Sequence, residues 1–230
     1  MNEIIMKKTE EFISQICDFL NLKEEEFGWE LEQLRSKGWA RWGGGTVEVT
    51  VAEILYVLTV LTKPTHCLEA GTAWAYSTAH IAEALKDNKK ENSFVSLDID
   101  SANILVARQY LSQKNLDVKI EHRSSTIPLK LNHNLDMIFI DSSHDYKSTK
   151  KEWSWMYPLL FKNKGFALFH DAYTDSYGVK KFLKELEEKG HKLLILDTQP
   201  NTGLGIIKLA NEFIQPEIME DDQLDEWLYE

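Results

Sequence analysis

A doubly wound, mostly parallel α/β sheet is the fold class that this 230-residue sequence predicts, on three observations. Seven strand-like runs, "HCLEA", "SFVSLDI", "VKIEH", "DMIFID", "GFALFH", "KLLIL" and "LGIIKL", follow one another after residue 65. Helix-like segments around 76–87, 101–114, 145–160 and 176–189 lie between the first six, with one direct loop around 123–134. The first strand runs into a turn holding Gly71 and then a helix, while the second strand ends on Asp98. Strands that alternate with helices make βαβ units, which build a parallel sheet covered on both faces.

The elements follow in order. Residues 3–37 read as largely helical, with Ile5, Phe12, Ile16 and Phe19 at helical spacing. "SKGWARWGGGTVEVT" interrupts that pattern with four glycines and two tryptophans, Trp39 and Trp42. From Thr50 a helix is predicted, because Thr50 and Glu53 form a T-x-x-E capping box before an apolar run to about Leu61. After the alternating region only "DTQPNTG" joins the last two runs. That is too short for a parallel crossover, so an antiparallel strand is expected at one sheet edge. The expected organisation is an N-terminal helical extension and lid over 1–47, one α/β domain over 48–211, and an acidic tail over 212–230. The tail has no Lys or Arg and reads as solvated or loosely docked, with Trp227 and Leu228 as a docking point.

Composition narrows the partners. Hydrophobic residues make up 43% and charged residues 27%, enough for a full-sized core. A net charge of −11 argues against a nucleic-acid backbone or an anionic membrane as partner. Cys17 and Cys67 show no metal-ligand spacing and no disulfide framework. No apolar run approaches a membrane span or a signal-peptide core. A soluble, reducing, cytoplasmic setting is expected.

In an open parallel sheet, ligands bind beyond the carboxyl ends of the strands, where the strand order reverses. Gly71 permits a tight turn there, and the helix opened by Ser77 and Thr78 offers N–H groups to a polar ligand. Asp98, at the tip of the second strand, can accept both hydroxyl hydrogen bonds of a ribose. The G-x-G-x-x-G fingerprint is absent, which disfavours a nicotinamide enzyme.

"LEAGTAWAYST" followed by "SLDID" resembles the class I S-adenosylmethionine-dependent methyltransferases, with a closer likeness to the small-molecule O-methyltransferase branch. "DMIFIDSSHDYKSTKKEWSWMYPLLFKNKGFALFHDAY" looks like the fourth- and fifth-strand region of that branch, and the likeness covers about residues 48–210. The resemblance implies a Rossmann-like methyltransferase fold and S-adenosyl-L-methionine as cofactor. It implies that Glu69, Gly71, Thr72 and Ser77 surround the methionine part, and that Asp98 holds the ribose. Ser124 or Ser125 would lie near the adenine, and Asp141 would face the methyl-sulfonium end. Ala75 stands where the branch usually has glycine, whereas the position of Ala73 varies among relatives. Alanine is tolerated wherever φ is negative, so Ala75 is expected to line the methionine pocket without blocking it.

Two strand tips carry polar clusters: Asp141, Ser142, Ser143, His144 and Asp145 after the fourth strand, His170 and Asp171 after the fifth. Methyl transfer to a hydroxyl needs alignment and a base, and histidine has an ordinary pKa of about 6.5. His144 is the first candidate for that base and His170 the second, with Asp141 beside them; helix capping or plain packing is the alternative for His144. Asp141 and Asp171 could hold Mg2+, but Ala172 stands where the resembling metal-dependent enzymes usually have asparagine. His170 or Asp145 would have to complete the set. Trp39, Trp42, Trp74 and Tyr173 are candidates for an aromatic wall around a small-molecule acceptor. Trp153 and Trp155 read as core or as an oligomer surface, which leaves a homodimer open. The expected function is methyl transfer to a hydroxyl of a small molecule. An N-methyltransferase, an aminopropyl transferase and a non-catalytic binding protein on the same fold are the rivals.

Overall fold

The protein is described by a computed structural model over residues 2–22, 28–38, 46–199 and 202–217. Trp39, Trp42, Trp227 and Leu228 lie outside the described residues. Seven strands form one sheet: β1 (His66–Ala70), β2 (Ser93–Asp98), β3 (Lys119–His122), β4 (Met137–Ile140), β5 (Phe166–His170), β6 (Lys192–Leu196) and β7 (Leu204–Lys208). Their spatial order is β3-β2-β1-β4-β5-β7-β6. The first five pair in parallel, and β7 runs antiparallel to both β5 and β6. The expected antiparallel pair therefore forms one edge, and the reversed strand lies one place in from it.

Period-two alternation divides the core into two layers. On β4, Met137 and Phe139 join one cluster while Ile138 and Ile140 join the other. The first cluster is covered by α1 (Asn2–Leu20), α2 (Gly28–Ser36), α3 (Val49–Thr62), α4 (Tyr76–Asp87) and α5 (Ser101–Gln113). The second is covered by α6 (Tyr146–Lys162) and α7 (Gly178–Glu188). Right-handed crossovers explain this division. From β1 the chain adds strands outward through β2 to β3, and from β4 it adds them in the opposite direction. The strand order thus reverses between β1 and β4, which is where an open α/β sheet leaves a crevice at its carboxyl edge.

The expected capping box at α3 does not form. The N-cap is Glu48, without a side-chain cap. Glu53 instead receives Arg35 Nε at 2.7 Å and Nη2 at 2.9 Å, and the Thr9 hydroxyl at 2.8 Å. A charge-assisted bidentate bond from a neighbouring helix outweighs a local one to a backbone amide. Those contacts tie α1 and α2 to α3, so the described part of the N-terminal extension is built into a face layer. At the other end, the start of the tail is docked. Phe213 stacks on Tyr157 at 5.2 Å, and Glu217 takes Lys150 at 2.7 Å and Lys189 at 2.8 Å. Cys17 and Cys67 are both buried and free. Among the described residues, no helix is long and apolar enough to cross a membrane.

Nine described non-glycine residues have left-handed backbones. Asn21, Lys63, Lys89, Asn115 and Lys164 follow the ends of helices, where that conformation closes the last turn. The other four, Ala73, Ala75, His144 and Asp171, all lie at the crevice edge of the sheet.

Candidate functional site

The turn after β1 is set by close backbone packing. Gly71 has φ +97°, and a Cβ there would sit 1.9 Å from the Asp141 carbonyl oxygen. The tips of β1 and β4 therefore cross with no room for a side chain. The N–H groups of Gly71 and Thr72 both donate to the Leu97 carbonyl, at 2.9 and 3.2 Å, which ties the turn to β2 as well. Beneath the turn, Glu69 is fully buried in a cage of hydroxyls. Ser77 donates to it at 2.7 Å, Thr78 at 2.6 Å and Ser96 at 2.6 Å, and Thr72 Oγ1 lies 2.6 Å from Ser96 Oγ. Burial pushes the Glu69 carboxyl up to about 7 against those three donors. Glu69, Thr72 and Ser77 thus brace the turn from below.

Both turn alanines have positive φ, +43° at Ala73 and +62° at Ala75, contrary to the negative φ that the sequence reading assumed. Ala75 is the N-cap residue of α4, and its methyl group is 0% exposed within the core cluster. It therefore neither lines nor blocks a pocket. Its methyl is in contact with the core, and the residue accepts a left-handed backbone that glycine would adopt without strain.

Asp98 sits at the tip of β2 and holds the turn from the side. Its Oδ2 accepts the Ala73 N–H at 2.7 Å and its Oδ1 accepts the Asp100 N–H at 2.8 Å. An ionised carboxylate has about four lone-pair sites, so each oxygen retains capacity for a hydroxyl donor. Trp74 and Ile99 flank it with exposed apolar surface. Two backbone-anchored acceptor oxygens between exposed apolar groups fit a ribose-bearing cofactor. In the loop after β3, Ser124 Oγ lies 2.8 Å from Thr126 Oγ1. Ser125 donates to Glu152 of α6, which also accepts from Ser142 just past β4.

The tips of β4 and β5 bring together the residues expected to carry chemistry. His144 Nδ1 lies 2.8 Å from Asp171 Oδ2 and 3.9 Å from Asp141 Oδ1, and about a third of the His144 side chain is exposed. His170 lies behind, almost buried. Its Nδ1 is 3.2 Å from Asp141 Oδ1 and 3.1 Å from Asp171 Oδ2, and its Nε2 is 2.9 Å from Glu48 Oε2. The hydrogen bond to Asp171 holds the His144 imidazole above its ordinary value, against partial burial. Burial alone would lower His170, but Asp141, Asp171 and Glu48 hold it well above its ordinary value. Burial would likewise raise Asp171 and Glu48, yet the histidines hold both below the usual carboxylate range. His170 is thus a charged pillar with both ring nitrogens engaged, and it is not a free base.

Backbone strain falls on the same residues. His144 has φ +61° and Asp171 φ +54°, a conformation that costs a non-glycine residue roughly 1–2 kcal/mol. The His144 carbonyl is held by the Gly178 N–H at 2.9 Å. A Cβ on Gly178 would lie 2.0 Å from the Tyr146 backbone nitrogen, so α7 can approach only because that residue is glycine. Asp145, not His144, caps α6, accepting the Ser148 N–H at 3.0 Å and the Ser143 hydroxyl at 2.9 Å. That engagement removes it from the candidate metal ligands.

Asp141, His144 and Asp171 place one donor atom each within 4.8 Å of one another. The donor set does not fit magnesium. The third ligand is an imidazole nitrogen, whereas magnesium takes oxygen ligands. Both carboxylates also face the His170 imidazole, at 3.2 and 3.1 Å. The imidazole that joins the two carboxylates in this set is that of His144, and His170 is not part of it.

The sheet order, with its antiparallel strand next to one edge, is that of the Rossmann-like methyltransferase fold. Residues 68–172 match the family model described as a methyltransferase domain. Among solved structures, the chain is similar to the Podospora anserina methyltransferase PaMTH1 bound to SAH (S-adenosylhomocysteine), with 18% identity, 88% of this chain and 97% of that chain covered, and a TM-score of 0.62. An O-methyltransferase from Bacillus cereus in complex with SAH shares 16% identity over 89% of this chain and all of its own, with a TM-score of 0.59. The O-methyltransferase TomG from Streptomyces achromogenes, involved in tomaymycin synthesis and bound to SAM, shares 16% identity over 87% and 96% of the two chains, also with a TM-score of 0.59. Comparison with curated protein sequences gives no match.

Sequence reasoning missed Glu48 and Glu152. Glu48 lies 122 residues from its partner His170, beyond any local pattern. Glu152 stands eleven places after Asp141 on a helix read as core. A buried-face position carrying a carboxylate was the available signal. Trp74 and Tyr173 are both exposed, and Tyr177, also exposed, lies 5.2 Å from the His144 ring.

Proposed function

We propose that this protein transfers the methyl group of S-adenosylmethionine to a hydroxyl of a small molecule, with His144 as general base. One observation carries this reading: His144 Nδ1 faces Asp171 at 2.8 Å while a third of the side chain stays open to the crevice. A carboxylate on Nδ1 fixes the tautomer and leaves Nε2 as the proton acceptor, the arrangement that a general base needs. Asp171 is itself oriented by His170, and His170 by Glu48. Asp98 and the turn from Gly71 would hold the cofactor, which supplies an electrophilic methyl on a sulfonium. Ser124 and Ser125 would stand on the adenine side. Exposed Trp74, Tyr173 and Tyr177 suit an apolar or aromatic acceptor. Because the acid–histidine cluster does not fit magnesium, the proton is taken by the imidazole without metal assistance.

The experiment is transfer from methyl-labelled S-adenosylmethionine to a panel of hydroxylated and amine acceptors, run in excess chelator. Product from a hydroxylated acceptor, at the same rate with and without chelator, is the expected outcome. Methylation of amines alone would replace the oxygen assignment. Loss of activity on chelation would restore a metal to the site. No transfer together with no cofactor binding would leave a binding protein on this fold.

A further inference from the structure

The α6 residue Glu152 is 0% exposed, and burial of a carboxylate there calls for a reason. Its Oε1 accepts two hydroxyl hydrogen bonds, one from Ser125 in the loop after β3 and one from Ser142 just past β4. Its Oε2 is buried and has no hydrogen-bond partner among the described residues. Ser142 stands beside the switch-point turn, since a Cβ on Gly71 would be 3.2 Å from its Cα. The loop after β3 is also fastened by the Trp155 indole, which donates to the Ser125 carbonyl at 2.9 Å. Through its two serine bonds Glu152 joins the loop after β3 to the tip of β4.

We propose that Glu152 is a positioning residue for the cofactor: as a carboxylate it clamps the Ser125 loop to the Ser142 tip, and a proton on its free oxygen loosens that clamp and weakens cofactor binding. This role rests on the cofactor reading given above. The physical step is simple. Hydrogen bonds to an ionised carboxylate are roughly twice as strong as those to a neutral one. Protonation at Oε2 forms an O–H bond that finds no acceptor among the described residues, and it turns both serine bonds into neutral ones. Burial pushes the Glu152 carboxyl up to about 7, so both forms are accessible near neutral pH. The charged groups acting on it are Asp145, which favours the protonated form, and His144, which opposes it. The Arg123 guanidinium, on the same loop, is engaged by the Ile127 and Pro128 carbonyls at 3.1 and 2.9 Å.

The test is calorimetric titration of the full chain with S-adenosylhomocysteine from pH 6 to pH 8.5, for wild type, Glu152→Gln and Ser142→Ala. Wild-type affinity should rise about fivefold or more across that range, the usual lower size of a coupling between two sites. Glu152→Gln should lose that dependence while still binding, and Ser142→Ala should bind weakly at every pH. Hydrogen exchange of amides 123–127 without ligand reads the clamp itself, and should speed up beyond its intrinsic pH trend as pH falls in wild type only. A pH dependence in Glu152→Gln equal to that of wild type would overturn the clamp. Absence of any S-adenosylhomocysteine binding by wild type would overturn the cofactor reading and, with it, this role. The exchange measurement separates those two failures.

Discussion

Beneath the turn after β1 and on α6, Glu69 and Glu152 are buried carboxylates held by hydroxyls. On the β5 side, Glu48 and Asp171 are also buried, though less completely, and are held by imidazoles. Burial pushes the first pair up to about 7, whereas the histidines hold the second pair below the ordinary carboxylate range. Desolvation raises all four and weighs most on the first pair, so both the depth of burial and the partner set the sign. A hydroxyl supplies a dipole, which offsets part of the desolvation of a charge. A protonated imidazole supplies an opposite charge, which offsets more than all of it. The first pair can thereby hold or release a proton near neutral pH, whereas the second belongs to a fixed array of charges around His144.

The largest expected effect breaks the charged array. His144→Ala should lower turnover by about 10²–10⁴-fold, the usual worth of a general base, with S-adenosylhomocysteine affinity nearly unchanged. In wild type the rate should rise with pH through a value above 6.5, since the base works only when neutral and Asp171 holds its proton more tightly. Asp171→Asn should move that limb to lower pH. A pH–rate profile indifferent to Asp171→Asn would remove the dyad from the mechanism.

Next in size is the pillar behind it. Glu48→Gln leaves a buried histidine short of one anionic partner and should lower stability by roughly 2–4 kcal/mol in chemical denaturation at pH 6. His170 is raised above its unfolded value, so its contribution is fully present below about 6.5 and fades as pH rises through its folded value. The difference between wild type and Glu48→Gln should shrink accordingly in alkaline solution.

Glu152→Gln tests the first pair, with the opposite sign. A carboxyl raised from 4.5 to about 7 binds a proton in the folded state that it releases when unfolded, so wild type loses stability as pH climbs through that window. The variant has no such loss. Relative to wild type it should gain up to about 3 kcal/mol between pH 4.5 and pH 8, read as a shift in denaturation midpoint. Equal pH dependence of stability in the two proteins would show that Glu152 stays ionised.

The smallest effect is at the turn. Ala75→Gly relieves a left-handed alanine worth about 1 kcal/mol but removes a buried methyl worth about 0.8 kcal/mol. Stability should change by no more than about 0.5 kcal/mol, and cofactor affinity should not change, because the methyl faces the core. A marked gain in affinity would place Ala75 at the pocket after all.

The resemblance to methyltransferases was legible because it sits in local sequence: a strand, Gly71, a helix, and Asp98 at the next strand tip. The strand at 192–196 and the helix at 76–87 agree with expectation to the residue, since both depend on periodicity within a few positions. The antiparallel pairing of β6 and β7 was legible for the same reason, as a connection too short to cross over. The capping box at Thr50 was not. There a short-range motif competed with Arg35, a partner that only folding brings near.

By itself, then, the sequence determined the order of the elements, the reversal of strand direction near one edge, and the presence of histidines and aspartates at two strand tips. Those features follow from side-chain periodicity, connection length and strand-end position, all of them short-range. Tertiary structure alone decided what each of those groups does. It set His144 against Asp171 and locked His170 onto Glu48 from another part of the chain. It also turned Ala75 inward and left one oxygen of Glu152 without a partner among the described residues. A side chain's charge and direction depend on desolvation and on partners distant in sequence, and neither exists until the layers close.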